Sequence, residues 1–154
     1  MPIPELVDNV LPEGVHDCTI EEVEAVFGRF QKSDKRMRLT EKLRTYLDEA
    51  RRSGLVKAVI VDGSYVMGRD EPEDIDLIVV LPADWGFTRD LKPSEYNVVT
   101  RVGIIRRKYP FDVFTYADGS ERYLQMLEYF SQVNPLKHAA LTEQPRKGVL
   151  RVVL

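Results

Sequence analysis

The chain has 154 residues, which at about 100–200 residues per domain means one domain. Hydrophobic residues make up 44% and charged residues 31%, ordinary proportions for a globular chain with a core large enough to hold a pocket. The net charge of −3 and a sequence pI of about 5.5 exclude a chain whose whole surface grips nucleic acid. Any such partner would need a local basic patch. The single cysteine, Cys18, cannot form an internal disulfide. It suits a reducing cytoplasm and reads as a small buried hydrophobe. No apolar run approaches the roughly 20 residues needed to span a bilayer. Met1-Pro2-Ile3-Pro4-Glu5 lacks the basic start and apolar stretch of a signal peptide. The expectation is a cytoplasmic protein with no membrane partner.

Residues 1–18 carry Pro2, Pro4, Pro12 and Gly14 and read as an irregular arm. Thr19-Ile20-Glu21-Glu22 is a capping box, so a short helix should run from residue 20 to about 28. A second helix should run from about 34 to 53. Its apolar residues Leu39, Leu43, Tyr46, Leu47 and Ala50 repeat at the three- and four-residue spacing of one buried face. Gly54 stands where a C-terminal cap is expected. Residues 55–62, LVKAVIVD, read as a buried strand. Gly63-Ser64 breaks it, residues 65–67 start a short helical turn, and residues 69–73 form a polar loop. Residues 75–81, IDLIVVL, give the strongest strand signal, ended by Pro82. A loop with Trp85, Gly86 and Pro93 follows. Residues 94–108 read as a helix, because Val98, Val99, Val102 and Ile105 recur at near-helical spacing. Residues 111–116, FDVFTY, are a third strand. Residues 120–132 are a helix capped by Ser120, with Tyr123, Leu124, Leu127 and Phe130 as its apolar stripe. Residues 148–154 offer a further terminal strand. The order implies an α/β (α+β) class: one domain over 1–154, with a small mixed sheet of at least three strands flanked by helices.

The chemistry concentrates between residues 61 and 77. Gly63 lets the backbone approach an anion closely. The amides that follow and the Ser64 hydroxyl could then donate to it. A Gly-Ser turn after a strand is also common without any ligand. Asp74 and Asp76 lie two apart at the mouth of a strand, so they share a face, while Ile75 and Leu77 point into the core. Two adjacent carboxylates repel unless a cation or a shared proton relieves them. Hard oxygen ligands of this kind suit Mg²⁺ or Mn²⁺. The plainer alternative is a solvated strand end. Asp112 lies one residue inside another apolar strand, where an unpaired carboxylate is costly to bury. It could complete a three-carboxylate metal site if the two strands are neighbours. It could also face solvent from an edge strand, or pair with Arg106 or Arg107.

Taken together, Gly63-Ser64, Asp74-x-Asp76 and Asp112 resemble the motif of the DNA polymerase beta-like nucleotidyltransferase superfamily, nearest to its minimal members. The resemblance covers about residues 55–116. It implies the nucleotidyltransferase fold. It also implies that Gly63 and Ser64 hold a nucleoside triphosphate, with Asp74, Asp76 and Asp112 as metal ligands and catalytic residues. The minimal enzymes usually carry an Ala-Arg pair where this chain has Val66 and Met67, and Arg69 is the candidate to supply the missing positive charge. They also tend to have Ser where this chain has Glu73. The outer segments, residues 11–16 and 147–151, are similar to a bacterial group of nucleotidyltransferase-like proteins of unknown function.

The expected function is therefore transfer of a nucleoside monophosphate from an NTP, with Mg²⁺ or Mn²⁺, to an RNA, protein or small-molecule hydroxyl. The alternative is a catalytically silent nucleotide-binding or partner-binding module of a toxin–antitoxin or defence system. Several other features read more plainly. Arg101, Arg106, Arg107 and Lys108 form a basic cluster that reads first as a solvated helix face. His16 and His138 are isolated from any ligand partner. Trp85 and Tyr96 could stack on a base or anchor their loop to the core.

Overall fold

The computed structural model describes residues 3–28, 34–68, 72, 75–86, 111–133 and 146–154. Five strands form one mixed sheet: β1 (Val15–Cys18), β2 (Ala58–Asp62), β3 (Ile75–Leu81), β4 (Phe111–Ala117) and β5 (Val149–Val153), in the order β1-β5-β2-β3-β4. The outer pairs β1/β5 and β3/β4 are parallel, and β5/β2 and β2/β3 are antiparallel. A parallel pair needs a crossover of a dozen or more residues, which residues 82–110 provide for β3 and β4. The helix expected at 94–108 lies outside the described residues.

Among the described residues, three helices flank the sheet. α1 (Ile20–Phe27) begins at the expected capping box: the Glu22 amide donates to Thr19 Oγ1, and the Thr19 amide donates to the Glu22 carboxylate. α2 (Lys35–Ser53) ends at Gly54, whose φ of 67° closes the helix in the left-handed region. α3 (Glu121–Phe130) begins at Ser120, whose hydroxyl accepts from the Tyr123 amide.

Alternation along the strands divides the apolar residues between two faces. Val59, Val61, Leu77, Val79, Phe111 and Val113 pack against Val23 and Phe27 of α1 and Leu43, Tyr46, Leu47 and Ala50 of α2. Ala58, Ile60, Ile78 and Val80 pack against Tyr123 and Phe130 of α3. β3 is buried on both faces, which is why its sequence runs apolar almost without interruption.

Three expectations are corrected. The arm over residues 1–18 is not wholly irregular, because Val15–Cys18 pairs in parallel with β5. That short segment gains strand geometry only from a distant partner. β2 starts at Ala58 rather than at residue 55. The left-handed cap at Gly54 and the Leu55 amide, which donates to Ser53 Oγ, hold the residues before it in the connection. Leu124 is 56% exposed. Tyr123, Met126, Leu127 and Phe130 share the sheet-facing side of α3, and Leu124 lies about 100° round from Tyr123. No helix among the described residues is long and apolar enough to cross a membrane.

Candidate functional site

The informative end of the sheet is where β2 stops. Gly63 follows with φ 90° and ψ −176°, a backbone conformation that residues with a Cβ rarely adopt. The chain then makes one 3₁₀ turn, Ser64–Val66, closed by Val66 N–H donating to Gly63 O and Met67 N–H to Ser64 O, both at 3.2 Å. This is the short helical turn expected after Gly63. Ser64 is buried at 1% exposure.

The turn is braced from two sides. Arg36, in the first turn of α2, is fully buried and reaches over it. Its guanidinium donates to Tyr65 O at 2.6 Å, Met67 O at 2.7 Å and Phe27 O at 3.2 Å. Its charge also lies over the rings of Tyr65 and Phe27, 5.3 and 5.9 Å from the centroids. The Tyr65 hydroxyl is hydrogen-bonded to Thr40 Oγ1 of the same helix. Burial pushes the Tyr65 phenol up to about 12. From the other side, Gly68 N–H donates to Asn9 O at 2.9 Å. A Cβ at Gly68 would stand 2.6 Å from Asn9 Oδ1.

Asp76 is paired in register with Asp112 across the parallel β3/β4 ladder, and with Asp62 across the antiparallel β2/β3 ladder. Paired residues share a face, so one row of carboxylates crosses three adjacent strands on the α3 side of the sheet. Strands lie about 4.8 Å apart, so neighbouring members of the row are side by side. Asp76 and Asp112 are half-buried and Asp62 is buried. Asp76 and Asp112, which the sequence singled out, are therefore brought together, with Gly63-Ser64 at the end of the adjacent strand. Asp74 and Arg69 lie outside the described residues, as do Glu73, Tyr96, His138 and the basic cluster of residues 101–108. Among the described residues no group of three His, Cys, Asp or Glu side chains could hold a metal ion. Asp62, Asp76 and Asp112 are thus not a ligand set by themselves.

The row contains a charge that sequence reasoning missed. The Lys147 ammonium forms an ion pair with Asp62, and both side chains are only 6% exposed. Lys147 stands two residues before Val149, the start of β5, with its amide donating to Ser131 O at 2.8 Å. Asp62 carried a legible signal: it ends a fully buried strand, where a carboxylate needs a partner. Lys147 had no such local sign.

Other residues fall to structural roles. Trp85 is buried in the main core cluster and so anchors its loop. His16 is half-buried, with its Nε2 2.6 Å from Pro12 O. Cys18 is buried, and desolvation, helped by the nearby Glu22 and Asp17 carboxylates, pushes its thiol up to about 12.

Residues 4–153 match a family of unknown function, DUF6932. The chain belongs to that family. No curated protein and no solved structure matches it. The DUF6932 match runs from before β1 to the last residue of β5, so the acidic row, the Gly63-Ser64 turn and Lys147 all lie within it.

Proposed function

We propose that this protein is a metal-dependent nucleotidyltransferase that moves a nucleoside monophosphate from an NTP to a hydroxyl of an RNA, a protein or a small molecule. The observation that supports the reading best is the register pairing of Asp76 with Asp112 on adjacent parallel strands, beside a strand that ends in a braced Gly63-Ser64 turn. In this reading Asp76 and Asp112, with Asp74, hold Mg²⁺ or Mn²⁺, for which carboxylate oxygens are suitable donors. When bound, the cation neutralises triphosphate charge and acidifies the acceptor hydroxyl. Gly63 and Ser64 receive the phosphates, and Arg69 adds positive charge. Asp112 takes the acceptor proton. The acceptor oxygen bonds to the α-phosphorus while the bond to the bridging oxygen breaks, and pyrophosphate leaves with that electron pair. A cytoplasmic location belongs to the same reading.

A second reading is a catalytically silent nucleotide-binding or partner-binding module of a toxin–antitoxin or defence system. One observation favours it. Val66 and Met67 occupy the places where the minimal enzymes carry Ala-Arg, and both side chains are buried in the core. They offer no charge to a triphosphate.

The deciding experiment is transfer of label from each α-³²P-labelled NTP, with Mg²⁺ or Mn²⁺, into total RNA and cell lysate, with Asp76→Asn alongside. Label in a macromolecule with wild type and none with Asp76→Asn supports the enzyme. Stabilisation by Mg²⁺ and NTP without transfer supports the silent module.

A further inference from the structure

We propose that the cleft between α3 and β5, at the end of the sheet away from Asp62, binds a small organic monocarboxylate. This site is separate from the one described above and does not depend on the nucleotidyltransferase reading. β2 begins with Ala58 in the cleft and ends with Asp62 at the other end of the sheet.

The cleft is a cavity of about 220 Å³. Strand register explains it. Ala58 pairs with Val80 on one side and with Val153 on the other. Paired residues share a face, so these three short side chains lie in one row across β5, β2 and β3 on the α3 side. Tyr123 of α3 packs against Ala58 and Val80, and both are buried. Val153 is 59% exposed. The row therefore leads from under α3 to an apolar surface that the apolar part of a ligand can cover.

The polar lining selects the other end of that ligand. Lys57, just before β2, pairs with Asp118, just after β4, at 2.6 Å across the end of β3. Arg151 gives Nε and Nη2 to the two carboxylate oxygens of Asp17, its register partner on β1. Each cation keeps N–H groups beyond these pairs: an ammonium has three donors and a guanidinium five. The Tyr123 phenol is pushed above its ordinary range, first by burial and then by the Asp118 carboxylate, so it stays protonated at neutral pH and can donate too. The lining thus holds two cations and a phenol against one carboxylate, which is already bonded to Lys57. Donors outnumber acceptors, and a ligand head that only accepts and carries negative charge suits them. A cavity of roughly 150 Å³ is enough for benzene. The larger cleft admits a ring or a branched chain bearing one carboxylate.

The test is a heteronuclear NMR titration of the full chain with benzoate at pH 7. Benzyl alcohol, inorganic phosphate, and the variants Tyr123→Phe and Val153→Asp run alongside. Wild type is expected to bind benzoate saturably with a Kd of about 1 mM or tighter, ordinary for a ligand of this size. The shifted amides should be those of Lys57, Ala58, Tyr123, Arg151 and Val153. Tyr123→Phe keeps the packed ring and loses the donor, so benzoate binds at least about tenfold more weakly, the worth of a hydrogen bond to a charged group. Benzyl alcohol, with the ring and no charge, falls by a similar factor. Phosphate binds more weakly than benzoate, because it has nothing to lay on the apolar row. Val153→Asp puts a negative charge on that row at an exposed position and abolishes binding. No saturable binding of benzoate by wild type overturns the proposal. So do shifts that map elsewhere, phosphate binding tighter than benzoate, benzyl alcohol binding as tightly as benzoate, or a Kd unchanged in either variant.

Discussion

The guanidinium of Arg36 donates to the main-chain carbonyl of Tyr65 at 2.6 Å and also lies over the Tyr65 ring, 5.3 Å from its centroid. One side chain from the start of α2 therefore grips the turn after β2 by both its backbone and its ring. A buried charge is tolerated there because it satisfies three carbonyl oxygens, those of Phe27, Tyr65 and Met67.

Arg36→Met removes that grip and leaves those buried acceptors without their donor. The expected loss is at least about 3 kcal/mol, at roughly 1–3 kcal/mol per unsatisfied buried group. Urea denaturation measures it. A loss below about 1 kcal/mol would mean that the turn is held by something other than Arg36.

Asp76→Asn should leave the fold intact, since it keeps the size and shape of the side chain and removes one charge from the carboxylate row. Stability without ligand should be unchanged or higher by up to about 1 kcal/mol. Wild type should gain about 2.7 kcal/mol at a ligand concentration of 100 times Kd with Mg²⁺ and the cognate NTP, and the variant should gain much less. Thermal melts with and without both ligands give the comparison. Equal gains in the two proteins would remove Asp76 from the site.

Alkaline pH should weaken the fold in two steps. The Cys18 thiol rises from an ordinary 9.0, and the Tyr65 phenol from 10.0, each to about 12. In both cases burial is the leading cause, and it favours the protonated form in the folded chain. Their contribution is complete below pH 9. Above that the unfolded chain loses the thiol proton first and then, near pH 10, the phenol proton, so stability falls until about pH 12. Cys18→Ala should delay the start of the fall from about pH 9 to about pH 10. Urea midpoints between pH 8 and 11 follow it, and identical slopes for the two proteins between pH 9 and 10 would contradict the assignment.

Gly148→Ala and Gly54→Ala should both destabilise, for different reasons. A Cβ on Gly148 would stand 2.1 Å from Pro12 O and 2.7 Å from His16 Nε2, so the contact between β5 and the N-terminal segment must open. Overpacking of that kind costs about 1–3 kcal/mol. A Cβ on Gly54 meets nothing within 4 Å, but its φ of 67° is left-handed. The cost there is about 1–2 kcal/mol.

The elements with local causes could be read from the sequence. The Thr19 capping box, the Gly54 cap, the Ser120 cap and the apolar runs of β3 and β4 each act within a few residues, and the structure has them where expected. β1 could not be read in this way, because four residues near Gly14 gain strand geometry only through β5. The same division runs through the site. Asp76 stood out as one of two aspartates two apart at the mouth of an apolar strand, and Asp112 as a carboxylate one residue inside another. Asp62 and Lys147 are 85 positions apart, and Arg36 and Tyr65 are 29 apart, so neither pairing has a periodic signature. Asp62 ends a strand buried at every position, so its carboxylate needs a partner as much as that of Asp112 does.

The sheet order has a consequence for synthesis. β5 fills the gap between β1 and β2, yet it is made after every other strand. At about 5–20 residues per second, the ribosome takes several seconds to travel from β2 to β5. Through that interval the nascent chain can pair β2 with β3 and then β3 with β4, but the other edge of β2 stays open. An open edge is a template for pairing with a foreign strand. Asp62, too, has no Lys147 during that time. The arrival of β5 closes the edge and delivers the buried counter-charge in one event, so a nascent-chain binder that shields strand edges would have its use here before residue 147 emerges.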